Sequence, residues 1–350
     1  VGLSSLLITA IVYVGQNFIL HIVFGQIEAD VMKCARIYLT IVAASIPFIA
    51  LYNAGAAIFR VMGNSKVSMK VSIIMNIINV AGNAVLIFGF HCGTEGVAIP
   101  TLVSRMVACI MVLVLLAKAK GDLYLEKTLR FCPDKEMIKR ILSIGIPNSL
   151  ENSMFQMGKL IVLSLVSTFG TYAIAANAVG NAVGTFQMLP GMAMSLAMPT
   201  VISQSVGAGD YEQAKYYTKK LLAITYAGLA MMVGIIYVAL PMILTAYNLS
   251  PEAAAAARQI LIFHGCSGVF IWPLSFVLPN VFRAAGDARY CMVISIFSMW
   301  TFRIVCSYII GTYMGLGLLG VWIAMIIDWV FRSIIFVYHY FSGKWQKSAI

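Results

Sequence analysis

Long apolar runs alternate with short polar breaks along the whole chain. The runs occupy 1–24, 37–59, 67–90, 96–118, 145–169, 172–206, 214–241, 258–282, 290–313 and 318–341. A helix of about 20 apolar residues spans the hydrocarbon core of a bilayer and satisfies its own backbone groups there. The pattern therefore predicts ten membrane helices, an all-α integral membrane protein. The run at 172–206 is too long for one straight crossing. It carries Pro190 and Pro199, which remove backbone donors and predict a kink.

Composition agrees. The chain is 61% hydrophobic and only 11% charged, against about 25% charged in soluble proteins. The net charge of +11 raises the question of nucleic acid, and its distribution answers it. Seventeen of the 24 Lys and Arg fall in alternate connections: Arg60 to Lys70, Lys118 to Arg140, Lys215 to Lys220, Arg283 to Arg289, and Lys344 with Lys347. The opposite connections hold Lys33, Arg36 and Arg258. This is the positive-inside pattern, so the basic loops and C-terminus are expected in the cytoplasm of a multi-pass cell-membrane protein. No nucleic-acid partner is expected. The seven cysteines form no CxxC pair and read as helix-packing residues. Nothing in the first run reads as a cleavable signal peptide.

Two stretches nearly repeat: "FRVMGNSK" at 59–66 and "FRAAGDAR" at 282–289. Each ends a span and opens a turn, with Gly for a tight helix exit and a base for the headgroups. Their flanks repeat as well. "ARIYL" at 35–39 matches "ARQIL" at 257–261, and "GVAI" at 96–99 matches "GVWIA" at 320–324. A duplicated unit follows. Six spans separate equivalent points, so equivalent helices run in the same direction and the two lobes are parallel repeats. The expected organisation is an incomplete N-terminal lobe of four helices at 1–118, a cytoplasmic linker at 119–136, and a six-helix C-terminal lobe at 137–350. The duplication implies about 85–90 further residues and two helices before Val1, a 6+6 bundle of which this chain carries about 4+6.

Polar groups inside spans are costly and point to function. Two acids lie there, Glu151 and Asp328, with four bases, Arg105, Lys159, Arg303 and Arg332. Asn148, Asn152, Gln156 and Lys159 form one polar stripe on a helix, with Glu151 at its shoulder. A carboxylate there can exchange a proton or hold Na⁺; the competing reading is a fixed pair with Lys159 or an Asn that locks helices. Asn177 and Asn181 come from the next helix and are expected beside Glu151, Asn148 and Asn152 in a cation-coupling site. Asn76, Asn79 and Asn83 share one face, and with Tyr52, Asn53, Gln156, Gln187 and Asp328 make up the candidate substrate cavity. For each Asn and Gln, interhelical glue is the competing reading. For Asp328 it is a buried salt bridge, with Arg332 four residues on and Arg303 in the preceding helix. The 20 Met and the tryptophans at 272, 300, 322 and 329 allow an adaptable apolar cavity.

"GAGD" at 207–210 matches an intramembrane protease pattern but falls past a span, before a basic segment. "GLGLLG" at 315–320 follows a membrane helix, not a strand. No Walker, HExxH or GxSxG motif occurs, and no metal site or enzymatic activity is expected.

The duplication, the paired Phe-Arg motifs, "IPNSLENSMFQMG" and "MPTVISQSVGAGDYEQA" resemble the multidrug and toxic compound extrusion (MATE) family across the whole chain. The resemblance implies two six-helix lobes around a central cavity. It implies a monomer in the lipid bilayer that exports small organic, often cationic, compounds against inward Na⁺ or H⁺, with no other cofactor. It places the family's seventh-helix acid at Glu151. Two departures stand out. Residues 258–282 contain no Asp or Glu to pair with it, and the first-helix Asp of some members has no counterpart here. The alternatives are a lipid-linked-oligosaccharide flippase or polysaccharide exporter of the same superfamily, and an intramembrane enzyme, for which no acid pair or nucleophile–base set is found.

Overall fold

A computed structural model describes residues 1–24, 29–118 and 134–347. Among these residues the chain is helical, with no strand. It divides into two compact units, Val1–Cys132 and Pro133–Ile350. The first holds α1 (Gly2–Phe24), α2 (Ala29–Ala44), α3 (Ile46–Val61), α4 (Ser65–Ala84) and α5 (Glu95–Lys118). The second holds α6 (Lys135–Ser167), α7 (Thr171–Gln187), α8 (Leu189–Gly207), α9 (Tyr211–Ala246), α10 (Pro251–Trp272), α11 (Pro279–Ala284), α12 (Ala288–Ser298) and α13 (Gly317–Ser342). The linker expected at 119–136 lies outside the described residues except for its end. There Asp134 caps α6, its carboxylate accepting from the Glu136 and Met137 amides at 2.9 and 3.2 Å.

Among the described residues six helical stretches are long and apolar enough to cross a bilayer, and α2 with α3, bent by 42°, makes a seventh if the pair is taken as one span. The other expected spans are also helices, but fall short for identifiable reasons. The stripe of Asn148, Glu151, Asn152, Gln156 and Lys159 makes α6 polar. The run at 172–206 breaks at Met188, just before Pro190, into pieces of 17 and 19 residues. For α1, which runs Gly2–Phe24, the apolar stretch Gly2–Phe18 is the continuous part whose side chains are described.

The duplication is visible in backbone hydrogen bonds. After α3, the Gly63 amide bonds Arg60 O at 3.0 Å and the Asn64 amide bonds Phe59 O at 2.9 Å. After α11, the Gly286 amide bonds Arg283 O at 3.2 Å and the Asp287 amide bonds Phe282 O at 2.8 Å. Both glycines have positive φ, +75° and +90°, which is the left-handed conformation that closes a helix by reaching back to its last carbonyls. "GAGD" is a third copy of this turn: Gly209 has φ +75° and the Asp210 amide bonds Ser205 O at 3.0 Å.

The likeness continues downstream. A π-helical stretch, Val85–Gly89, ends α4, and π-helical stretches Met299–Val305 and Ser307–Tyr313 extend α12. The bonds Phe90 N to Val85 O and Cys92 N to Leu86 O recur as Met314 N to Ile309 O and Leu316 N to Ile310 O. Gly96 and Gly320 then pack over equivalent backbone, the carbonyl carbons of Leu86 and Ile310. At these turns the hydrogen bonds are kept although the apolar sequence around them has diverged.

Replacing Gly63 or Gly286 by Ala forces a Cβ into the left-handed region, at a cost of about 1–2 kcal/mol each. Thermal unfolding in detergent should show both variants below the parent protein, with Asn recovering part of the loss. Unchanged melting of both variants would refute the cap assignment.

Candidate functional site

The strongest polar cluster lies within the second unit. Glu151, on α6, is 8% exposed. One guanidinium nitrogen of Arg283, Nη2, donates to both of its carboxylate oxygens, at 2.8 and 2.7 Å. Nη2 of Arg332, on α13, stands 3.7 Å from the same carboxylate. By its sequence position Arg283 belongs with the connection bases. The structure corrects that placement: its side chain turns inward from the motif turn and is 19% exposed. Its Nη1 donates to Asn280 Oδ1 at 3.0 Å, and the Asn280 amide in turn donates to the Phe276 and Val277 carbonyls.

The break in α10 explains why these donors and acceptors are available. Pro273 opens a π-helical stretch, Pro273–Val277, and Pro279 starts α11. Proline offers no amide hydrogen, so Pro279 leaves the Ser275 carbonyl without its usual i+4 donor. Arg332 Nη2 reaches that carbonyl at 3.4 Å. The Ser275 hydroxyl donates to the Trp329 carbonyl of α13 and lies 3.0 Å from the Ser333 hydroxyl. Arg332 is 2% exposed and sits over the Phe276 ring, 4.5 Å from its centroid. Aromatic faces supply the electron density that missing hydrogen bonds would otherwise give a buried guanidinium.

A cavity of about 660 Å³ opens on this cluster. Asn148, Glu151, Asn152, Phe155, Ser195, Trp272, Phe276, Asn280, Arg283 and Arg332 are among its walls. Gly191 makes room for one wall, since a Cβ there would fall 2.2 Å from the Trp272 ring. The Phe155 ring borders it and a second cavity of about 280 Å³. Three cations surround that ring, with Arg303, Lys159 and Arg332 at 5.2, 5.4 and 5.9 Å from its centroid. A third cavity, about 350 Å³, is lined by Lys159, Asn177, Asn181, Thr185, Arg303 and Trp322 among others.

The expected coupling set divides accordingly. Glu151 shares its cavity with Asn148 and Asn152, whereas Asn177 and Asn181 line the other one. Asn152 donates back to the Asn148 carbonyl at 2.8 Å, and Asn181 to the Asn177 carbonyl at 2.8 Å. The Asn177 oxygen accepts from the Trp322 indole at 3.2 Å. Sequence spacing placed both Asn pairs on polar faces but left open which neighbour each face meets.

Several candidate cavity residues hold helices together instead. Gln187 is fully buried, donating to Leu261 O at 3.2 Å and meeting His264 Nδ1 at 2.6 Å. Asp328 is fully buried too. It accepts from the Ser298 hydroxyl and lies 3.9 Å from Arg303, one of the two bases the sequence offers it. In the first unit, Asn79 donates to Thr101 of α5 at 3.1 Å and Asn83 donates to Asn79 at 3.3 Å. Tyr52 is buried, while Asn53, Asn76 and Gln156 are exposed. Arg105 donates to Ser45, at the bend between α2 and α3, at 2.6 Å. Sequence reasoning missed Arg283, Asn280, Phe155 and Phe276 as site residues. The two prolines of "WPLSFVLP" are the signal that could have found them, because they mark where a span opens its backbone. Among the described residues no group of three or more His, Cys, Asp or Glu side chains gathers as a metal site would require.

Comparison with known proteins supports the same grouping. The MatE family model matches residues 1–85 and 147–309. The chain is 28% identical over 355 residues to the probable multidrug resistance protein YoeA of Bacillus subtilis, covering 99% of this chain and 76% of that protein. It is 26% identical over 335 residues to the probable multidrug resistance protein NorM of Thermotoga maritima, covering 94% of this chain and 71% of that protein. In fold it is similar to an outward-facing structure of a multidrug resistance MATE family transporter, with a TM-score of 0.88 at 21% identity over 99% of this chain and 78% of that one. With a family model matched over most of its length, this chain belongs to the MatE family, the multidrug and toxic compound extrusion family that its motifs resemble.

Proposed function

We propose that this protein is a secondary exporter. It moves small organic compounds out across the cell membrane against inward Na⁺ or H⁺, by alternating exposure of a binding cavity. The single observation that carries the reading is Glu151. It is a buried carboxylate on the wall of an aromatic cavity, in a chain whose relatives are named multidrug resistance proteins. The basic connections face the cytoplasm, the protein acts as a monomer in the bilayer, and the coupling ion is its one cofactor.

The proposed coupling follows from the pair. Arg283 of α11 and Arg332 of α13 share the Glu151 charge. A proton or Na⁺ arriving at that carboxylate withdraws its charge from both guanidinium groups. The two cations are then uncompensated in a low-dielectric site, where their repulsion is strong. The arrangement of α6 against α11 and α13 that suited the pair is no longer favoured. Ion binding shifts the helix arrangement by as much as the ion's affinity differs between the two arrangements.

Glu151→Gln strands two cations, and removing one member of a buried pair costs about 3–5 kcal/mol. A second variant, Glu151→Gln with Arg283→Gln, leaves one stranded cation, Arg332, instead of two and should regain part of the thermal stability. In proteoliposomes under an imposed Na⁺ or H⁺ gradient, both variants should lose gradient-driven export, while Glu151→Asp keeps part of it. If the double variant exports at the parent rate, the pair is only a structural link. Orientation has its own test. In a cysteine-free background, Lys344→Cys should resist an impermeant thiol reagent in intact cells and react in inverted vesicles; the reverse result would overturn the topology.

A further inference from the structure

The 280 and 350 Å³ cavities of the second unit differ in charge from the one at Glu151. Lys159, Asn181, Thr185, Arg303, Trp322 and Met325 line both of them, and no carboxylate lines either. Lys159 forms no ion pair among the described residues; its ammonium instead lies over the Phe155 ring. Arg303 has an acidic neighbour, the fully buried Asp328, whose Oδ2 lies 3.9 Å from Nη1, too far for a hydrogen bond, while its Oδ1 accepts from Ser298. Glu151 cannot neutralise them, because Arg283 and Arg332 occupy it. The walls therefore present one cation without an ion pair among the described residues, Lys159, beside a second, Arg303, whose carboxylate partner lies outside the lining.

The polar groups beside them suit an anion as well. The Asn177 oxygen is taken by the Trp322 indole and the Asn181 amide by the Asn177 carbonyl. The Asn177 amide hydrogens, the ammonium and the guanidinium remain to donate. Trp322 lines both cavities, and Trp272, Phe276 and Trp329 add aromatic faces to the 280 Å³ one. An apolar or aromatic body packs there, while a single anionic head meets Lys159 and Arg303.

We propose that this cavity binds organic monoanions, aromatic carboxylates of drug-fragment size, in preference to organic cations. The proposal refines the export reading by naming a substrate class. It concerns binding alone, so it can fail while gradient-driven export stands, and it can hold while export fails.

The test uses two probes that share one apolar body, 1-naphthoate and 1-naphthylmethylammonium. Their affinities are measured by calorimetry on the protein in phosphatidylcholine nanodiscs with no gradient. Naphthoate should bind at least about 10-fold more tightly than the ammonium. Lys159→Gln should weaken naphthoate about 10-fold and leave Glu151→Gln-sensitive export chemistry out of the measurement. Lys159→Arg keeps the charge and should restore most of the binding; binding as weak as that of Lys159→Gln in a protein with parent-like melting would overturn the role of the charge. Equal or tighter binding of the ammonium overturns the proposal, as does a preference unaffected by Lys159→Gln in a protein with parent-like melting. Loss of the preference when phosphatidylglycerol replaces phosphatidylcholine would place a lipid phosphate in the site and overturn the assignment to a soluble anion.

Discussion

The ion pair between Glu151 and Arg283 is the constraint around which the second unit is arranged. A bilayer span cannot leave a charge unpaired without a penalty of several kcal/mol. Glu151 sits on α6 and Arg283 on α11, 132 positions on in the chain, so satisfying the acid fixes one helix against the end of another. Arg332 then brings α13 to the same carboxylate. Three elements meet at one negative charge, and the large cavity opens beside it.

The interruptions in α10 make that meeting possible. An unbroken helix would spend every carbonyl internally and run past Glu151. Pro273, the π-helical stretch and Pro279 open the backbone, and Asn280 and Arg332 take up the carbonyls so released. The same segment sets Phe276 between Trp272, Trp329 and Phe155, at centroid distances of 5.1, 5.6 and 6.1 Å. Backbone irregularity is tolerated at membrane depth where it lines a protein-enclosed cavity. Here it supplies both the hydrogen-bond partners of the charges and the aromatic wall.

Helix positions and helix ends were legible in the sequence because they follow from local chemistry. Apolar runs mark the spans, Pro190 marks the α7–α8 break, and the Gly of each Phe-Arg motif marks a left-handed cap. Tertiary partners were not legible in the same way. A helical wheel assigns Asn177 and Asn181 to a polar face but does not say that the face meets Trp322 and Lys159 instead of Glu151. For Asp328 the sequence offers both Arg332, four residues on, and Arg303 in the preceding helix; packing sets Arg303 3.9 Å from it and brings Arg332 within 3.7 Å of Glu151. Gln187 and Asn79 look like cavity residues from spacing alone, and the neighbours that turned them into interhelical bonds come from distant segments. Arg283 is the clearest case. Its motif position speaks for a headgroup anchor, and only the packing of α11 beside α6 sets it against the acid.

If Glu151 is where the driving ion exchanges with the guanidinium groups, its carboxylate must respond directly to that ion. Infrared difference spectroscopy of the reconstituted protein, with and without Na⁺ and across an acid step, isolates the band that disappears in Glu151→Gln. A shift of that band on adding one of the two ions is the expected result. A Glu151 band unchanged by either ion would show that the carboxylate stays with Arg283 throughout, and would contradict its role in coupling.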